Sequence, residues 1–227
     1  MILAADQILL FVPAALALNL TPGADMMFCA GQGARLGPRA GLVSAAGISA
    51  GGMIHAGLAA AGLAAFLATH PALFEAVRWA GVLYLLWLAV QTLRARGRPA
   101  DSASTGSASG GQPAPRARGG LPASFRDAVA VSVLNPKVAI FILALLPQFV
   151  APERGSPGAQ MLALGALFSL GGFAVNGAVG VLAGGAFGIG ARGGAGARLA
   201  ARAAGPMRCV VAAIFAGLAA RLAFARG

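Results

Sequence analysis

Residues 155–191, GSPGAQMLALGALFSLGGFAVNGAVGVLAGGAFGIGA, contain no Asp, Glu, Lys or Arg. A helix crosses a bilayer with about 20 consecutive apolar residues, so this stretch is long enough for one span with room to tilt. The rest of the chain has the same character. A soluble domain carries about a quarter charged residues. Here 227 residues are 10% charged and 58% hydrophobic, with a mean hydropathy of +0.80. Lipid is the solvent that fits these proportions.

Cutting outward from this stretch at the charge clusters gives candidate spans at 8–34, 41–68, 73–93, 124–150, 159–189 and 206–224. Arg208 and Arg221 leave the last with a short uncharged centre and must snorkel to opposite interfaces, so five spans plus a surface helix is the alternative count. Ala15-Leu16-Ala17 resembles a signal-peptide cleavage site. Asp6 stands where a basic n-region would be, however, and the apolar character runs on to Ala34, which favours a retained first span.

Residues 97–122 are too polar and glycine-rich to pack and are expected to form a disordered linker. Arg94, Arg96, Arg98, Arg116, Arg118 and Arg126 flank it, which places it in the cytoplasm. With six spans, Arg35, Arg39, Arg192, Arg198 and Arg202 then fall on the same side, and both termini lie outside the inner (plasma) membrane. The formal charge of +11 is spread along these span edges rather than interleaved with aromatics, so nucleic acid is not an expected partner. Cys29 and Cys209 sit apart in apolar surroundings and read as small core residues.

The linker divides the chain into residues 1–96 and 123–227, two sets of three spans that enter the membrane from opposite sides. Each set begins with a proline interruption, Asn19-Leu20-Thr21-Pro22-Gly23 in one and Leu134-Asn135-Pro136-Lys137 in the other. A double glycine follows in the next span of each, Gly51-Gly52 and Gly171-Gly172. The expected fold is an all-α membrane protein of six transmembrane helices, arranged as two inverted three-helix repeats with proline-broken first and fourth helices. Proline removes a backbone donor and frees a carbonyl. At membrane depth such groups are tolerable only inside protein or a wet cavity, so paired interruptions in inverted halves point to a transport site.

The candidate substrate-binding residues are Asn19, Thr21, Pro22, Gly23, Asp25, Asn135, Pro136 and Lys137. Asp25 lies well inside the first span, and Lys137 is the single lysine beside sixteen arginines. A charge at the bilayer centre costs roughly 3 kcal/mol, which argues for a task. The helix starts after Pro22 and Pro136 suit a carboxylate. Asp25 suits an ammonium or a coupled proton, and a single acid favours neutral substrates. His55 is a candidate proton relay, because imidazole exchanges protons near neutral pH; a satisfied core histidine is the alternative. Asn176 reads as an interhelical hydrogen bond, Tyr84 and Trp87 as an interfacial aromatic belt, and Gly47, Gly51, Gly180, Gly184 and Gly188 as close helix packing.

Thr21-Pro22-Gly23-Ala24-Asp25, residues 37–42, residues 80–88 and Asn135-Pro136-Lys137 with Leu146-Pro147-Gln148-Phe149 together resemble the lysine exporter superfamily, specifically its homoserine/threonine and leucine exporter branch. Ala24 stands where that branch has a second proline. The resemblance implies a secondary exporter of small amino acids or related metabolites, driven by the proton-motive force, and not an enzyme. No cofactor is expected, and with two histidines, few acids and no Ser/His or HExxH constellation neither a metal site nor an intramembrane hydrolase is expected; homo-oligomerisation is left open. The competing readings are a membrane thiol-disulfide electron carrier, for which the two cysteines are wrongly placed, and a passive small-solute channel.

Overall fold

Proline decides where the first and fourth apolar runs break. The computed structural model describes residues 3–63, 71–94, 120–188 and 195–224. Helix α1 (Ala5–Leu20) ends at Thr21, whose extended backbone (φ −74°, ψ 117°) is the conformation a following proline imposes. Helix α2 (Ala24–Leu36) starts after Pro22 and Gly23, and the two are bent by 54°. The second break matches it. Helix α5 (Gly120–Val133) gives way at Leu134-Asn135 to α6 (Pro136–Leu145), which tightens into a 3₁₀ turn over Leu146–Phe149, and the bend is 55°.

The other helices are continuous. They are α3 (Pro38–Leu58), with a π-helical extension over Ala59–Leu63, α4 (Pro71–Arg94), α7 (Pro157–Gly188) and α8 (Ala195–Phe224). Pro38–Gly62 and Pro157–Gly185 are each long and apolar enough to cross a membrane, and each bent pair is so when taken as one span. In α8, Cys209–Arg221 is a shorter apolar segment. The class is all-helical, with no strand among the described residues. Leu9, Leu58, Leu83, Leu170 and Leu182 are 64–73% exposed, an apolar exterior suited to lipid.

Two boundaries differ from the sequence reading. Helix α5 already begins at Gly120, inside the stretch assigned to the linker, because Pro122 in a first helical turn loses no hydrogen bond. The remainder of that linker lies outside the described residues. Helix α8 begins at Ala195 and runs through Pro206, where the last span was expected to start.

The interior is built differently at its two ends. Phe11, Leu18, Leu85, Phe141, Ile142 and Phe215, all below 2% exposed, belong to a bulky core shared by α1, α4, α6, α7 and α8. The α2, α3 and α5 end packs instead around Cys29, Ala45, Ile48 and Ala128. There glycine lets backbones touch. A Cβ on Gly33 would overlap the Gly180 carbonyl of α7, one on Gly180 would lie 2.8 Å from the Gly41 Cα, and one on Gly184 would lie 2.5 Å from the Pro38 nitrogen. Gly47 and Gly51 of α3 meet α5 in the same way, at Phe125, Ala128 and Ser132.

The opposite end is held by amides. Gln7 Nε2 donates to the Phe149 carbonyl at 2.8 Å and to Gln160 Oε1 at 3.2 Å, while Gln160 exchanges two hydrogen bonds with the Ala151 backbone. This clamp ties the start of α1 to the end of the α6 segment and the start of α7. The breaks lie between the clamp and the glycine seam. Gln7 is about 20 Å of helix before Thr21, and Gly33 about 15 Å beyond Gly23, at 1.5 Å per residue.

Candidate functional site

Each broken helix leaves four carbonyls or four N–H groups without helical partners. At the first break Thr21 bonds back to the Ala17 and Leu18 carbonyls, and a side chain from the second break supplies further donors. Lys137, in the first turn of α6, donates its ammonium to the carbonyls of Leu18 (2.9 Å) and Thr21 (2.6 Å) at the C-terminal end of α1. A cation there also meets the negative end of the helix dipole. Asn135 caps its own helix, with Oδ1 accepting from the Lys137 N–H at 3.0 Å, and its Nδ2 donates to Asp25 Oδ1 at 2.8 Å. Asp25 sits in the first turn of α2, where the dipole favours an anion. The Lys137 side chain runs beside Gly23, where a Cβ would lie in ordinary contact, 3.5 Å from both Cδ and Nζ.

A cavity of about 20 Å³ opens between these groups, lined by Asn19, Thr21, Gly23, Asp25, Asn135 and Lys137 from the breaks. Leu18, Met26, Val138, Phe168 and Asn176 complete its wall. That volume holds one water and no amino acid. A second cavity of about 10 Å³ adjoins it through Asn19, Asp25, Val138, Phe168 and Asn176, and extends to Ser49, Gly52, Ser132, Ser169 and Gly172.

Of the eight residues singled out in sequence, six therefore meet at one cavity. Pro22 and Pro136 do not line it; both are exposed and act by breaking the helices. His55 is buried one turn beyond Gly51-Gly52, its Nε2 without a hydrogen-bond partner among the described residues, and lines neither cavity. Asn19 donates to the Phe168 carbonyl at 3.1 Å and lies over the second double glycine, where a Cβ on Gly171 or Gly172 would come within 3.1–3.2 Å of its amide. Ser132, about one turn before the other break, lies in the same way over Gly51, whose Cβ would come 2.8 Å from its hydroxyl.

Two residues have contacts that the sequence reading did not assign. Tyr84 donates from its hydroxyl to the Lys137 carbonyl at 3.2 Å and stacks on Trp87, so it supports the second break as well as standing in an aromatic pair. Asn176 faces both cavities, and its Oδ1 has no hydrogen-bond partner among the described residues. Its place four residues after Gly171-Gly172 was the available signal. No group of three His, Cys, Asp or Glu able to hold a metal occurs among the described residues.

A family profile described as LysE type translocator matches residues 16–226. The chain is 28% identical over 156 residues to a leucine efflux protein of Klebsiella pneumoniae, covering 69% of each chain. It is 30% identical over 148 residues to a homoserine/homoserine lactone efflux protein of Salmonella typhimurium, covering 65% of this chain and 66% of the relative. A leucine efflux protein of Enterobacter is 29% identical over 162 residues, at 70% and 71% coverage. No solved structure matches the chain.

Proposed function

We propose, from the premise that this chain belongs to the LysE type translocator family, that it is a secondary exporter of small neutral amino acids, driven by the proton-motive force across the inner membrane. The supporting observation is the bonding of the second break onto the first. Lys137 and Asn135 of the second half hold the α1 carbonyls and Asp25 of the first, around one small cavity. In this reading six spans form two inverted repeats, and the arginine-flanked linker lies in the cytoplasm. The parallel seating of Asn19 on Gly171-Gly172 and of Ser132 on Gly51 supports the repeat.

Asp25 receives the substrate ammonium or the coupled proton. Asn135 alone of the described residues hydrogen-bonds its carboxylate, at Oδ1, which leaves Oδ2 for a ligand. Lys137 and the α2 amides take the carboxylate once the site opens. Opening is required, because a cavity with room for one water admits no amino acid until the glycine seam or the amide clamp parts. The cysteines do not suit a dithiol carrier: Cys29 is buried in the α2–α3–α5 cluster and Cys209 lies on α8, which packs mainly on α4.

The test is transport by purified protein in liposomes carrying an imposed pH gradient. Labelled homoserine, threonine or leucine should accumulate above equilibrium, and a protonophore should abolish the accumulation. Equilibration alone, insensitive to the protonophore, would establish the channel instead.

A further inference from the structure

We infer that Ser132, Ser169 and Asn176 form a side-chain subsite that hydrogen-bonds a hydroxyl and selects hydroxyl-bearing neutral amino acids over aliphatic ones of the same shape. The inference rests on the exporter reading and specifies its substrate. The three residues come from α5 and α7 and are 0%, 6% and 4% exposed. Ser132 Oγ, Ser169 Oγ and Asn176 Oδ1 each lack a hydrogen-bond partner among the described residues. All three residues line the second cavity together with Asp25.

Folded proteins leave few buried polar atoms unpaired. Three around one cavity therefore require an occupant with matching chemistry. Asn176 Oδ1 can only accept, so the occupant must bring a donor, whereas each serine can donate or accept. A hydroxyl meets both demands, and the substrate ammonium already has Asp25. Asn19 and Ser49 also line the cavity but already donate to the Phe168 and Ser169 carbonyls, and Ile48, Val138 and Phe168 offer apolar surface for the methylenes between the α-carbon and the hydroxyl.

The double glycine of α3 keeps the polar wall open. A Cβ on Gly51 would lie 2.8 Å from Ser132 Oγ, and one on Gly52 would lie 2.9 Å from Ser169 Oγ. In the closed conformation the second cavity, about 10 Å³, has room for a single water. A substrate hydroxyl takes that water's place on loading. An aliphatic side chain would displace the water and strand three polar atoms, the arrangement by which a hydrogen-bonding site rejects an analogue lacking the hydroxyl.

Counterflow in proteoliposomes with isosteric pairs tests this, using homoserine against norvaline and threonine against valine. The wild-type protein should favour the hydroxyl member of each pair by about ten-fold or more. Ser132→Ala and Ser169→Ala, each checked for normal amount in the membrane, should narrow that ratio chiefly by raising transport of the aliphatic member. Equal or better transport of norvaline and valine by wild type, or variants that lower both members alike, would overturn the subsite and leave the cavity to water only. Failure of the exporter reading looks different: none of the four amino acids would exchange.

Discussion

Asp25 and Lys137 are not joined to each other, although both line one cavity; each is committed to polar groups of the opposite half. Removing the acid and removing its amide partner should therefore have separable effects. Asp25→Asn keeps the side-chain volume and is expected to abolish accumulation driven by a pH gradient, with the amount of membrane-inserted protein unchanged. Full gradient-driven accumulation by that variant would remove Asp25 from coupling. Asn135→Ala loses a helix cap, at a cost of about 1 kcal/mol, and releases the Asp25 carboxylate. Transport should fall at least ten-fold while inserted protein falls far less, and parallel losses would reduce Asn135 to a structural role. The candidates at the breaks were legible in sequence because proline, asparagine and a charge at membrane depth each have few alternative explanations. Asn176 was not, since whether an asparagine carbonyl finds a partner depends on what faces it across a helix interface.

At the scale of helices, the two breaks were legible and the packing that surrounds them was not. Proline fixes where an apolar run must bend, but α7 is apolar all round, so no hydrophobic stripe announces which face meets α2 and which meets α3. The glycines gave the one hint. Gly180 was expected at a close helix approach, and it sits where α7 touches both Gly33 and Gly41. Gly180→Leu cannot be accommodated without separating α7 from α2, a change of overpacking type worth about 1 to 3 kcal/mol or more. It is expected to hold the seam apart. In a background carrying Cys29→Ala and Cys209→Ala, a single cysteine introduced at Ala34 should then react faster with a maleimide when Gly180→Leu is present than when it is absent, while counterflow falls. An unchanged labelling rate would show that the seam does not depend on this contact. The early start of α8 was missed because its first turns are arginine-rich, and charge was taken as the edge of the helix rather than its interior.

For the whole molecule, the first and second halves of the sequence are linked along the chain by the segment at residues 95–119, which lies outside the described residues. Its composition is rich in Gly, Ser and Ala, so its sequence is expected to matter little for transport. Replacing residues 97–119 by a shorter Gly/Ser stretch should leave counterflow within about two-fold of wild type, and loss of export with normal insertion would assign the segment a function. The two ends of the molecule are closed by unlike means, glycine contact at one and amide hydrogen bonds at the other, with the only lysine between them. That single lysine makes the protein its own counter. The amino terminus aside, an acylating reagent aimed at primary amines has one target in the whole chain. In the closed conformation this amine is engaged with two carbonyls beside a space no larger than a water. On the reading in which the site opens for transport, acylation at Lys137 is expected to report that opening, readable as a mass increment on an unmodified sequence.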